Sequence, residues 1–121
     1  PTRRSSDLLM AAVVRAALKF CAGADAERAR LAALVDRAGQ LTRGLGCEPS
    51  GSQIQPVILG ADTAATRLAA ALRDKGFDIR AIRPPTVPEG TARLRIALTL
   101  NVDEAAIDAL FAALAGEMVQ P

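Results

Sequence analysis

The sequence has no histidine, tryptophan or tyrosine, and its only three aromatic residues are phenylalanines. Without histidine the chain lacks the commonest general base and a common zinc ligand, which excludes histidine-dependent triads and histidine-bearing zinc sites. The 121 residues are half apolar, which is enough for one domain with a modest core. Frequent alanine favours closely packed helices.

Cysteine is also scarce, because only Cys21 and Cys47 are present. Two cysteines make neither a disulfide framework nor a four-ligand metal site, so we expect both to be reduced and semi-buried in a cytoplasmic protein. No apolar run approaches the ~20 residues that span a bilayer. No signal peptide is recognisable either, since Arg3 and Arg4 are not followed by an uninterrupted apolar segment.

Basic residues barely outnumber acidic ones, and the formal net charge is only +2. So small an excess argues against nucleic acid or an anionic membrane as a partner. Thirteen of the fifteen basic residues are arginine, and the two lysines are Lys19 and Lys75. A covalent imine with a carbonyl cofactor would need one of those two, and we expect both to face solvent on polar sides of helices.

The first eight residues, PTRRSSDL, fit no helix or strand pattern. A common sequencing-adapter oligonucleotide encodes the same letters in one reading frame. We therefore expect residues 1–8 to be a non-native scar at the edge of a truncated gene, with an ordinary disordered terminus as the alternative.

Apolar spacing and capping residues predict four helices. The first two are expected over residues 9–22 and 25–43, the first of them buried on most of its surface. A third is expected over residues 62–75, before Gly76. The last should begin after Asn101, which would cap it in a capping-box-like arrangement with Glu104.

Three segments are predicted to be strands: residues 53–59, 77–83 and 91–100. Pro56 donates no ladder hydrogen bond, so the first strand should lie at an edge or carry a bulge. The link between the last two strands is too short for a parallel crossover, so they should pair antiparallel. The predicted fold class is α+β, a small antiparallel three-stranded sheet with helices on one face, preceded by two helices. We expect a helical connector over residues 9–50 and a small domain over residues 51–121.

Arg93 and Arg95 are the most informative pair of side chains. A strand places them on one face, about 6.5–7 Å apart, opposite the face that carries Leu94 and Ile96. Two guanidinium groups that close repel each other unless an acid or an anion lies near, and arginine suits two-pronged recognition of a carboxylate or phosphate. The alternative is a solvated sheet face whose arginines pair across strands with Asp78 or another acid.

A loop with three prolines, RPPTVPEG, spans Arg83 to Gly90. Proline restricts the unfolded chain and fixes the shape of the loop. Such a loop can present Arg83 and the hydroxyl of Thr86 to a ligand. It can equally be a stiff connector.

The run SQIQPVILG, followed by a helix and then by GFDIRAIRPPTVPEGTARLRIALT and NVDEAAIDAL, closely resembles the C-terminal part of the α-oxoamine synthases. These are pyridoxal-phosphate enzymes, and IRPPTVPEGTARLR points to their 8-amino-7-oxononanoate synthase branch. The resemblance covers residues 9–115, and it implies the C-terminal small domain of such an enzyme.

By this resemblance, the complete enzyme is an acyltransferase of biotin biosynthesis. It condenses L-alanine with a pimeloyl thioester of coenzyme A or acyl carrier protein, with loss of carbon dioxide. The resemblance also implies a homodimer. In the family, pyridoxal 5′-phosphate is held by a lysine, a histidine and an aspartate of the large domain, which we expect to be missing here. The fragment is then expected to be inactive, with no catalytic, cofactor-binding or metal-binding residues of its own.

Three residues take substrate-binding roles from the resemblance. Arg95, the second arginine of ARLR, matches the family arginine that grips the amino-acid carboxylate. Thr86, in PPTVP, matches a substrate-binding threonine. Arg83 matches less specifically and is assigned to the carboxylate of the acyl substrate.

A binding module is the rival hypothesis from another functional class. In it, Arg93 and Arg95 would belong to a stand-alone regulatory domain that senses a small carboxylate. A domain that serves only for oligomerisation is a third and weaker option.

Overall fold

A computed structural model describes residues 2–119 of the chain. It divides into two compact units, one ending at Arg30 and the other beginning at Leu31. The boundaries expected after residues 8 and 50 stay predictions. No helix within residues 2–119 is long and apolar enough to cross a membrane.

The first unit contains helix α1, Thr2–Ala22, which Gly23 follows. The prediction that residues 1–8 fit no helix is wrong from Thr2 onward. Adding a residue to a formed helix requires far less free energy than starting one, so the alanine-rich segment extends back through polar residues. The origin of these residues is a separate question and stays a prediction.

The expected burial of α1 is also wrong, because residues 4–22 are all exposed. The exposed side chains include Leu9, Val13 and Phe20. An apolar sequence favours burial, but only a neighbouring element can bury it. Cys21 lies on this helix and is exposed, so its expected semi-burial is wrong too, whereas Cys47 is half-buried and both thiols are free.

Helix α2, Asp25–Gly44, runs across the boundary between the units. Its second half buries one stripe of side chains: Leu34, Ala38 and Thr42. The turn that follows Gly44 contains Gly46, whose φ of 77° lies in the left-handed region that glycine adopts without steric strain. The N–H of Gly46 donates to the Arg43 carbonyl at 2.9 Å and closes the last turn.

The sheet has three antiparallel strands in the order β1-β3-β2. They are β1 (Ile54–Gly60), β2 (Arg80–Ile82) and β3 (Ala92–Ala97). The antiparallel pairing of the last two strands is confirmed. So is the edge position of the strand that holds Pro56, and β1 also carries a bulge near its end.

Two of the strands are shorter than the sequence predicts. Residues 77–79 precede the ladder, because the N–H of Ile79 turns back to the Phe77 carbonyl at 3.1 Å. Strand β3 likewise pairs only as far as Ala97, although Leu98 still donates to the Gln53 carbonyl at 2.7 Å. Side-chain alternation extends beyond the residues that the strand ladder pairs.

Helices α3 (Asp62–Asp74) and α4 (Glu104–Val119) pack on one face of the sheet and complete the α+β fold that the sequence predicts. Their apolar stripes meet the inward side chains of the strands. The core of this unit includes Val57, Leu68, Leu72, Leu94, Ile96, Ile107, Phe111 and Leu114.

The cap of α4 differs from the prediction. The Asp103 carboxylate accepts a hydrogen bond from the Ala106 N–H at 2.8 Å, which is the geometry of a side-chain N-cap. Asn101 instead lies in the preceding turn, where its backbone N–H donates to the Thr99 hydroxyl at 3.3 Å. The helix begins two residues later than an Asn101 cap would require, so the expected capping box is wrong.

Candidate substrate-binding face

Arg95 lies on the central strand and points away from the helices. Its neighbours Leu94 and Ile96 are buried, whereas Arg95 is exposed. In the strand register it faces Pro56 of β1 on one side and Arg80 of β2 on the other. Residues directly opposite in adjacent strands project from the same face. Arg95 and Arg80 therefore share the open face of the sheet.

Arg93 occupies the same face one pleat earlier and is half-buried. Its Nε donates to the Thr91 carbonyl at 3.1 Å, and its register partners are Ile58 and Ile82. Aliphatic side chains thus flank the Arg93 guanidinium on both neighbouring strands. The open face combines positive charge with apolar surface.

Carboxylates do not neutralise the central strand of this face. Within residues 2–119, Arg95 forms no hydrogen bond or ion pair with another side chain, and Arg93 bonds only to backbone. Asp78 contacts Arg80 instead, at 3.3 Å. The predicted alternative of Asp78 paired with Arg93 or Arg95 is not observed. Guanidinium groups without an internal acid favour the approach of an anion.

The sequence did not identify Arg80 as part of this arrangement. The alternation of FDIRAIR places Arg80 on the face opposite Ala81, but it does not say which β3 residue stands beside it. Only the register, Arg80 opposite Arg95, brings the two arginines together. Identifying Arg80 from the sequence would have required the register between β2 and β3.

The proline-rich loop presents Thr86 at the surface. A cis peptide bond joins Pro84 to Pro85, and the Thr86 N–H donates to the Arg83 carbonyl at 3.0 Å. The Thr86 side chain is exposed, and in the described part of the chain its hydroxyl has no hydrogen-bond partner. Its hydroxyl is thus available to a ligand.

Arg83 lies apart from the open face. It follows β2 and lines a cleft with Ala69 and Arg73 of helix α3, at the free edge of the sheet. The structure therefore brings Arg95 together with Arg80 and Arg93, but not with Arg83. The substrate-binding roles of Arg95, Thr86 and Arg83 stay predictions.

A two-pronged ion pair lies elsewhere, between the helices. Arg37 of α2 binds both carboxylate oxygens of Asp108 on α4, with Nε and Nη2 at 2.8 and 3.1 Å. This hydrogen bonding, together with the positive charge of Arg37, holds the pKa of Asp108 below its ordinary value despite the opposing effect of burial. Glu104 lies 3.6 Å from the same Nε. The pair joins two helices of the packed layer and is structural.

Neither lysine is placed to hold a carbonyl cofactor covalently. The Lys75 ammonium forms an ion pair with Glu117 at 2.6 Å, and Lys19 is exposed on α1. A lysine that forms an imine with a carbonyl cofactor must be enclosed beside that cofactor, and neither of these two surroundings is enclosed. The residues of this chain do not fit a covalent pyridoxal-phosphate site.

Comparison with known proteins agrees with this fold. The family model described as aminotransferase class I and II matches residues 5–114. The curated 8-amino-7-oxononanoate synthase of Anaeromyxobacter dehalogenans strain 2CP-C is 48% identical over 106 residues, which cover 86% of this chain and 27% of that protein. The chain thus spans about a quarter of the length of the curated relatives it matches.

Solved structures share the same fold. The 8-amino-7-oxononanoate synthase of Francisella tularensis superposes with a TM-score of 0.72 at 24% identity, covering 84% of this chain and 30% of that one. A structure of SPT with PLP gives 0.69 at 25% identity, covering 75% and 24%. The predicted resemblance is confirmed: the chain belongs to the aminotransferase class I and II family and is similar to part of the 8-amino-7-oxononanoate synthases.

Proposed function

We propose that this chain is the substrate-closing part of a pyridoxal-phosphate-dependent acyltransferase of biotin biosynthesis. The complete enzyme would condense L-alanine with a pimeloyl thioester, release carbon dioxide and the free thiol, and form 8-amino-7-oxononanoate. The 48% identity to a curated synthase of that name supports the assignment. The carrier of the thioester, coenzyme A or acyl carrier protein, is left open.

The position of Arg95 carries the proposal. Its guanidinium is exposed on the open face, beside Arg80 and without an internal carboxylate partner within residues 2–119. A guanidinium can hold both oxygens of the alanine carboxylate through two parallel hydrogen bonds. Fixing the carboxylate fixes which bond at the α-carbon is aligned for cleavage, and such orientation supplies part of the rate enhancement. Pyridoxal phosphate, bound by residues outside this chain, would supply the electron sink.

Thr86 and Arg83 are proposed to contact substrate from the loop. The exposed Thr86 hydroxyl is positioned to donate to or accept from a polar substrate group. Arg83 lies at the sheet edge rather than on the face of Arg95. That separation suits two substrates bound side by side, with the amino acid at Arg95 and the acyl substrate's carboxylate at Arg83.

Arg95→Ala in the complete enzyme tests the central assignment. Removing a charge-assisted, two-pronged contact should lower kcat/KM for alanine by about 100-fold. The absorbance of bound cofactor should stay at its wild-type level, because Arg95 is not proposed to hold the cofactor. Arg93→Ala is the matched control, since Arg93 already bonds to the Thr91 carbonyl. Wild-type alanine kinetics in Arg95→Ala would remove the proposed role.

The isolated chain should neither bind pyridoxal phosphate covalently nor turn over. Lys75 is engaged by Glu117 at 2.6 Å, and Lys19 lies on an exposed helix. Purified chain mixed with the cofactor should show no shifted absorbance band and, with alanine and pimeloyl-coenzyme A, no product. Product formation would contradict the assignment of this chain as an incomplete enzyme.

For the complete enzyme we propose a homodimer, which light scattering would test.

The second candidate is a stand-alone module that binds a small carboxylate. The observation in its favour is that the open face offers Arg93 and Arg95 to solvent in this chain by itself. Calorimetry of the isolated chain with alanine and with pimelate separates the two functions. A sensor binds one of them without further protein, whereas a closing domain needs the rest of the enzyme. A domain that serves only for oligomerisation would bind neither ligand and would self-associate whether or not alanine or pimelate is present.

A further inference from the structure

A second basic site lies at the free edge of the sheet, away from the Arg95 face. It is a cleft of about 240 Å³ between helix α3 and strand β2. Small side chains, including Ala69 and Ala81, leave room for a ligand. Two arginines line it as well, Arg73 from the last turn of α3 and Arg83 just beyond β2. Arg80 of β2 borders the cleft, but it shares the open face with Arg95 and contacts Asp78.

The charge of this cleft is unbalanced. No carboxylate is among its lining residues. Arg80 contacts Asp78 at 3.3 Å, but in residues 2–119 the Arg73 and Arg83 guanidiniums have no hydrogen-bond or ion-pair partner. Cationic groups around one small volume repel each other, and an anion between them removes that repulsion. Thr66 also lines the cleft, with its hydroxyl hydrogen already donated to the Asp62 carbonyl at 2.8 Å.

We propose that this cleft binds a phosphate-class anion, a phosphomonoester or a diphosphate. Arginine donors come from both a helix and a strand edge, so they approach the ligand from different directions. A tetrahedral phosphate offers three oxygens to such donors, whereas a planar carboxylate offers two in one plane. The proposal goes beyond the proposed function and leaves Arg95 untouched, because Arg95 is no part of the cleft. It competes with the proposed role of Arg83 toward the carboxylate of the acyl substrate, and the titrations below separate the two ligands.

Amide-resolved NMR titration of the chain with sodium pyrophosphate at low ionic strength tests the site directly. Saturable shifts are expected at residues 66–73 and 80–83. Arg73→Gln should weaken binding by about tenfold, since it removes a charge-assisted donor. Arg67→Gln is the matched control, because Arg67 lies on the same helix and is exposed but does not line the cleft. Both substitutions remove one positive charge from the exposed surface of α3.

Three outcomes would overturn the proposal. They are an absence of saturable shifts in the cleft, an equal loss of affinity in Arg67→Gln, and pimelate binding as tightly as pyrophosphate with the same loss in Arg73→Gln. The last outcome would assign the cleft to the carboxylate of the acyl substrate.

A parallel titration with coenzyme A distinguishes the sources of the phosphate. Tighter binding than pyrophosphate supports a nucleotide-borne phosphate, and equal binding supports the free ion.

Discussion

The two faces of the three-stranded sheet differ in both burial and charge. Leu94 and Ile96 of β3 point toward the helices and are almost completely buried. Arg93 and Arg95, their neighbours in sequence, point the opposite way and meet no internal acid within residues 2–119. One strand therefore carries buried packing residues and outward-facing arginines at alternate positions. Substitutions on one face should change stability, and those on the other should change binding.

Leu94→Ala against Arg95→Ala is the sharpest test of this division. The Leu94 side chain is fully buried, so its truncation should lower the free energy of unfolding by about 2–5 kcal/mol through lost burial and the cavity left behind. Arg95→Ala should change it by no more than ~0.5 kcal/mol, because the side chain is exposed. Urea denaturation of both variants gives the two values. Equal destabilisation by Leu94→Ala and Arg95→Ala would show that the Arg95 side chain takes part in packing and is not free to meet a ligand.

Gln55 is a polar exception on the packed side of the sheet. It is fully buried, and its side-chain amide accepts from the Ser50 N–H at 3.1 Å and donates to the Ser52 carbonyl at 2.9 Å. Gln55→Ala leaves those backbone groups without these partners and should reduce stability by about 1–3 kcal/mol. The exposed Gln53→Ala is the control. If the two variants unfold at the same urea concentration, the buried amide contributes nothing.

The cap of α4 helps to position the helix that covers the packed face. Asp103→Ala removes the acceptor for the Ala106 N–H and should lower stability by about 1 kcal/mol. Asn101→Ala should have little effect, because the Asn101 side chain does not cap the helix. Thermal unfolding of the pair measures the difference. A larger loss in Asn101→Ala would restore the capping box that the sequence predicts.

The Arg37–Asp108 pair joins two helices of the packed layer and makes stability depend on pH. The hydrogen bond from Arg37 lowers the pKa of Asp108, so the folded state favours the ionised carboxylate. The stabilisation is complete above the unfolded pKa of about 4 and is lost as the pH falls through the lower folded value. The contribution of this ion pair to stability should be the smallest of the effects predicted here, because both side chains are over a third exposed.

Unfolding measured between pH 7 and about 3 tests this coupling. The stability difference between wild type and Asp108→Asn should shrink as the pH falls. Asp36→Asn, at an exposed position on the same helix as Arg37, is the control and should follow the wild-type profile. A constant difference between wild type and Asp108→Asn at every pH would contradict the assigned role of the carboxylate.

Much of the fold was predictable because local patterns repeat with the period of the element they form. The alternation around Arg93 and Arg95 placed both on one face, and Pro56 marked an edge strand. Predictions failed where a neighbour decides the outcome. The apolar helix α1 is exposed, and the cap of α4 is Asp103 rather than Asn101, since several polar residues in that turn have capping chemistry.

By itself the sequence determined the types and order of the elements, the outward direction of Arg95 and the family of the chain. Periodicity, capping residues and family motifs are local properties of the sequence, so they can be recognised without knowing which distant residues are in contact. Only the tertiary structure decided that Arg80 stands opposite Arg95 and that Arg83 joins Arg73 beside α3. Strand register and helix placement follow from burial of the whole core, which depends on residues far apart in the chain.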